Sequence, residues 1–124
     1  MDVLTFIGGL LAAFVVIGHF TMGIKSYLVP MLDADFDQIP KTVMQSVFHY
    51  VSVFLVLAAA ALILAGTGVF SGENSELVVK FIGINFLLFA VVQIFYALRS
   101  KVERPLFKLF QWTLFLPIGV LCVL

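Results

Sequence analysis

The stretch that decides the fold is "KTVMQSVFHYVSVFLVLAAAALIL", residues 41–64. Its one charge stands at the first residue, and the apolar run exceeds the roughly 20 residues that cross a hydrocarbon core of about 30 Å. It reads as a membrane-spanning helix. Its first three turns nevertheless carry Thr42, Gln45, Ser46, His49, Tyr50 and Ser52. At about 100° per residue, Thr42, Gln45, Ser46, His49 and Ser52 share an arc of roughly 120°, with Val43, Val47, Val51, Phe54 and Leu55 away from it. The pattern predicts one face turned to neighbouring helices and another turned to lipid.

Outward from this helix, comparable apolar segments cover residues 3–24, 77–98 and 106–124, alongside 42–66 for the quoted one. In a chain of 124 residues, 63% hydrophobic and 11% charged residues lie outside the soluble range. The expected fold is all-α: a single integral membrane domain, an antiparallel four-helix transmembrane bundle in the lipid bilayer. "KSYLVPMLDADFDQIPK", "GTGVFSGENSE" and "RSKVERP" supply prolines, glycines and charges to the connectors. "MDVLTFIGGLLAAFVVIGHF" lacks a basic start and is too long for a signal h-region, so it reads as a retained helix.

Formal net charge is zero, which gives no basic surface for nucleic acid. The single cysteine, Cys122, excludes an internal disulfide and any paired-cysteine redox site. Lys25, Lys41, Arg99, Lys101, Arg104 and Lys108 lie at one end of the predicted bundle and only Lys80 at the other. In a bacterial host this bias places the two basic connectors in the cytoplasm, both termini in the periplasm and the chain in the inner membrane. No Asp or Glu lies inside a span, which argues against a proton-coupled exporter built on an embedded carboxylate.

Each remaining helix has one candidate inward face. On the third, Asn85, Gln93, Tyr96, Arg99 and Ser100 cluster within roughly 120°. On the first, His19 aligns with Thr5, Gly8, Ala12 and Ser26, and on the fourth Gln111 aligns with Phe107, Leu114, Phe115, Ile118 and Cys122. At 1.5 Å per residue, His19 lies about 9 Å inside Lys25, His49 about 12 Å inside Lys41, Gln93 about 9 Å inside Arg99 and Gln111 about 5 Å inside Lys108. The depths match. They predict a pocket in the cytoplasmic leaflet, lined by His19, Gln45, His49, Ser52, Gln93, Tyr96 and Gln111, that binds a small organic ligand or a lipid. The competing reading is interhelical hydrogen bonding alone, worth about 1 kcal/mol or less per contact.

Two other functions stay open. His19 and His49 could share a metal ion or ligate a b-type haem, although no carboxylate or thiolate stands by to support them. Small-residue rows on the first helix and at residues 58–66 could serve a homo-oligomeric transporter or channel. No nucleophile–base pair is legible along the chain, so a non-enzymatic role is expected. Asp33, Asp35 and Asp37 open like a calcium loop, but the sixth position is Gln38 and the twelfth Met44, where Gly and Glu are needed.

"GHFTMGIKSYLVPML" and "IPKTVMQSVFHYVSVFLVLAAAALIL" together resemble short bacterial four-helix membrane proteins of unassigned function. The matching positions are His19, Pro30 to Leu32, Pro40, Phe48, His49 and Ser52. In overall plan the chain is also similar to the DoxX-like group of small four-helix proteins. The resemblance implies the fold and no particular activity.

Overall fold

The computed structural model describes residues 1–124, and every regular element is helical. Helix α1 runs Val3–Asp33, α2 Gln38–Gly66 and α3 Glu73–Arg99, all three long and apolar enough to cross a membrane. A single turn, α4 (Pro105–Lys108), and α5 (Trp112–Val123) complete the chain.

Helix α1 is capped by Asp2, whose carboxylate accepts from the Leu4 and Thr5 amides and the Thr5 hydroxyl. The Thr5 hydroxyl holds that carboxyl below its ordinary range. The predicted span ends at residue 24, but the helix continues to Asp33 through a widened middle. His19–Leu28 is π-helical, with the Val29 amide reaching the Ile24 carbonyl five residues back. At about 4.4 residues per turn, Leu28 comes into line with His19 and Ser26 swings to the opposite side. Leu28 and Gly23 are accordingly buried and Ser26 is exposed, which corrects the predicted alignment of Ser26 with His19.

The predicted fourth span, 106–124, is not one helix. The Trp112 indole donates to the Leu106 carbonyl at 3.0 Å, an acceptor that a continuous helix would offer to the Phe110 amide. The backbone leaves the helix at Leu109 (φ −101°, ψ 71°) and α5 starts afresh at Trp112. Twelve residues rise only about 18 Å, short of a full crossing. Phe107, predicted to share the Gln111 face, is instead 80% exposed.

Two helix pairs build the bundle: α1 with α2 and α3 with α5, joined mainly through α1 and α5 and less through α2 and α3. The α2 seam is Ser52, Leu55, Ala59, Leu62 and Gly66, a run of three- and four-residue steps that keeps one face on the core. At the end carrying both termini the backbones nearly touch. A β-carbon on Gly66 would stand 2.5 Å from the Phe6 backbone, one on Gly9 2.9 Å from the Ile63 nitrogen, and one on Gly119 2.9 Å from the Gly83 carbonyl. The Asp2 amide also donates to the Gly66 carbonyl at 2.9 Å. Helix α2 ends there through Gly68, whose φ of 83° suits a glycine.

Outside these seams the surface is apolar. Within the most hydrophobic window of each long helix only 28% of residues are buried. Ile7, Leu10, Val47, Leu57, Phe81, Leu88 and Val91 all point away from the bundle. Such a surface is stable in hydrocarbon and unstable in water.

The glycine contacts yield a paired expectation. Gly66→Ala should destabilise by about 1–3 kcal/mol through overpacking, whereas Gly18→Ala, with nothing within 4 Å of the new methyl, should be neutral or stabilise by up to about 1 kcal/mol. Reversible unfolding in mixed micelles measures both.

Candidate functional site

Away from the glycine-packed end, side chains rather than backbones fill the space between helices. His19 opens the widened stretch of α1 and lies flat against Phe48 of α2, ring centroids 4.1 Å apart and planes 15° apart. Its Nε2 is 2.7 Å from Ser52 Oγ. One helical turn before Ser52 on α2, His49 brings Nδ1 to 3.3 Å from the same oxygen, and the Phe48 carbonyl lies 3.2 Å from it. One hydroxyl thus serves three partners. Its single hydrogen goes to the carbonyl or to an imidazole, and the imidazole tautomers follow from that choice.

Ser52 is 5% exposed, His19 half-buried and His49 exposed. The His19–Ser52 contact joins residues 33 apart; interhelical hydrogen bonding of this kind is the competing reading of the sequence, although nothing local in it pairs these two residues. The Ser52 oxygen is enclosed by its three partners, and Ser52 lies outside the neighbouring cavity wall. Nucleophilic attack needs an approach to that oxygen. The trio is therefore built as a bridge. The two histidines also fail to present nitrogens to a common open position, and no group of three metal-binding side chains assembles anywhere in the chain. A haem between the two imidazoles would have to displace Ser52.

Beside this cluster a cavity of about 270 Å³ opens between α1, α2 and α5. Phe14, Val15, Met22, Phe48, Leu55, Phe110, Leu114 and Phe115 make it apolar, and Gly18 and Gly23 thin its wall. His19, Tyr27 and Gln111 are its polar groups. Gln111 in turn accepts at Oε1 from Gln93 Nε2 at 2.6 Å, tying α3 to the start of α5. Gln93 Oε1 is buried without a partner.

The structure thus brings His19, His49 and Ser52 into one cluster and Gln93 and Gln111 into one pair, with His19 and Gln111 both lining the cavity. It does not bring in Gln45 or Tyr96, both exposed. At about 100° per residue, the centre of the α2 polar arc lies about 110° round the helix from the packed seam. Packing selects the small and leucine-rich seam because it lets α1 approach, and Ser52 is the one polar residue common to both. Thr42 and Ser46 donate to carbonyls of their own helix, as does Asn85. Arg99 lies over the Phe95 ring, 4.9 Å from its centroid, rather than over the cavity. Phe14, Phe48 and Phe110 were not anticipated as walls. Phe48 alone had a signal, four residues before Ser52 on the seam.

Compared with protein families, with curated proteins and with solved structures, the chain finds no match in any of the three. What can be said of its class comes from its own residues: an all-helical protein with three helices apolar enough to cross a membrane.

The two polar contacts should separate energetically. A Gln93→Leu, Gln111→Leu double-mutant cycle should give a coupling of about 0.5–1 kcal/mol. Ser52→Ala should cost more, about 1–3 kcal/mol, by stranding a half-buried imidazole. Equal costs in micellar unfolding would show that the hydroxyl holds nothing in particular.

Proposed function

We propose that this chain is an integral membrane protein that binds one small organic ligand, or part of a lipid, in the cavity between α1, α2 and α5. The reading is carried by one observation: a space of about 270 Å³ walled by aromatic and aliphatic side chains, with His19 and Gln111 among the groups that line it. Its volume lies near the lower end of small-molecule sites, about 300 Å³ upward, and its mix of broad apolar lining with few polar groups is the usual composition of such sites. The phenylalanines would supply contact area, and the imidazole and amide would fix orientation. In this reading four segments are embedded, the fourth being α4 and α5 together. The basic end faces the cytoplasm of a bacterial cell, from the bias of Lys and Arg toward that end.

The test is native mass spectrometry of the protein extracted in mild detergent. Wild-type protein should retain one small molecule or lipid per chain. Leu114→Trp, which fills the cavity, should lose it while unfolding at the same temperature or higher. Equal retention by the variant would place the ligand elsewhere and end this reading.

A second reading, a homo-oligomeric transporter or channel, is favoured by the exposure of Gln45 and His49 on the membrane-facing side of α2. Polar groups at this depth gain by finding partners on another chain. Flux in vesicles that disappears in monomer-forming variants would support it.

A further inference from the structure

We infer, taking the cavity as the ligand site proposed above, that Gln93 holds the Gln111 amide so that its NH₂ is offered to the cavity. The ligand selected by that arrangement is an uncharged, largely apolar molecule that accepts from Gln111 through a carbonyl oxygen.

Gln111 has one oxygen and one nitrogen to give. Its Oε1 accepts from Gln93 Nε2 at 2.6 Å, and its Nε2 has no partner in the chain. Gln93 Oε1 is enclosed by protein, but the Gln111 nitrogen is not, and Gln111 lines the cavity. Turning both amides over would keep one hydrogen bond between the two residues. It would also put the Gln93 NH₂ where Oε1 is now buried without a partner. Two donors would then be stranded in place of one acceptor, and orphaned N–H groups are the rarer fault in protein interiors. The hydrogen-bond network therefore fixes which end of each amide points where.

No other polar group of the cavity has so definite a role. The Tyr27 hydroxyl both donates and accepts. His19 has its Nε2 on Ser52, and its Nδ1 donates or accepts according to the tautomer. Gln111, with its oxygen occupied, can only donate, so it calls for an acceptor. A ligand hydroxyl would bring a hydrogen that Gln111 cannot take, whereas a carbonyl oxygen presents two lone pairs and no hydrogen. The residues lining the cavity include no Lys, Arg, Asp or Glu. A carboxylate or an ammonium would be buried there unpaired, which excludes a charged ligand.

Two probes isolate the carbonyl: acetophenone, and ethylbenzene, in which a methylene replaces it. A cavity of about 150 Å³ holds benzene, so either probe fits a space of about 270 Å³. Each is titrated into protein in mild-detergent micelles, and every variant is compared with wild type for the same probe, so that partition into the micelle cancels. Gln111→Leu should weaken acetophenone about 2- to 10-fold, the net worth of one hydrogen bond, and leave ethylbenzene unchanged. Acetophenone labelled with ¹³C at the carbonyl and bound to wild type should resonate downfield of its position in alkane, a readout that serves even if Gln111→Leu does not fold. Gln93→Leu leaves the Gln111 amide in place but unheld, and should bring the resonance part of the way back. An unmoved resonance in that variant overturns Gln93's part. A wild-type carbonyl at its alkane position, or equal weakening of both probes in folded Gln111→Leu, overturns the whole inference and leaves the cavity a ligand site. Leu114→Trp should expel both probes; if it expels neither, the cavity reading itself falls.

Discussion

Everything in this molecule depends on how closely its backbones approach at one end. Where α1 meets α2 at Gly9 and Gly66, and α3 meets α5 at Gly83 and Gly119, a single added methyl would collide with the neighbouring main chain. Helices in hydrocarbon gain nothing from hiding apolar surface from water, so dispersion across such contacts and a few interhelical hydrogen bonds must hold them. The glycines concentrate those contacts near the termini. At the other end phenylalanines stand between the helices instead, and the spacing they set leaves a cavity.

The polar groups of the bundle follow from that asymmetry. Where backbones touch there is room only for small residues such as Gly8, Ala12 and Ala59. Where they are held apart, an imidazole lies flat on Phe48 and still reaches a serine on the facing helix. The π-helical stretch belongs to the same adjustment. It turns Gly23 and Leu28 inward below His19, so that one face of α1 serves the tight contacts at its start and the aromatic-walled space further on. The Gln93–Gln111 bond does for α3 and α5 what Ser52 does for α1 and α2.

Helix type and the three long spans were legible in the sequence, because length and hydropathy determine them. A fixed rise per residue placed His19, His49, Gln93 and Gln111 in one half of the span; it gave no sign that His19 would meet Ser52, which the same rise puts deeper. Azimuth was less legible. Polar residues are usually taken to face inward in a membrane helix, yet on α2 the inward face is the one that permits close approach, and Gln45 and His49 remain outside it. Tyr96 misleads in the same way on α3, at 67% exposure. The π-helix and the break at Leu109 depend on where individual carbonyls find donors, such as the Trp112 indole for Leu106. Hydropathy carries no record of such choices.

The central claim is that glycines close the Gly9–Gly66 and Gly83–Gly119 seams, while aromatic side chains keep open the space beside His19. Xenon occupies dry apolar cavities of this scale and is excluded from close-packed interiors. Crystals of delipidated protein under xenon pressure should show an ordered xenon atom among Phe14, Phe48 and Phe115, and none among Gly8, Gly66, Gly83 and Gly119. Xenon in the glycine seam, or none beside His19, would contradict the account.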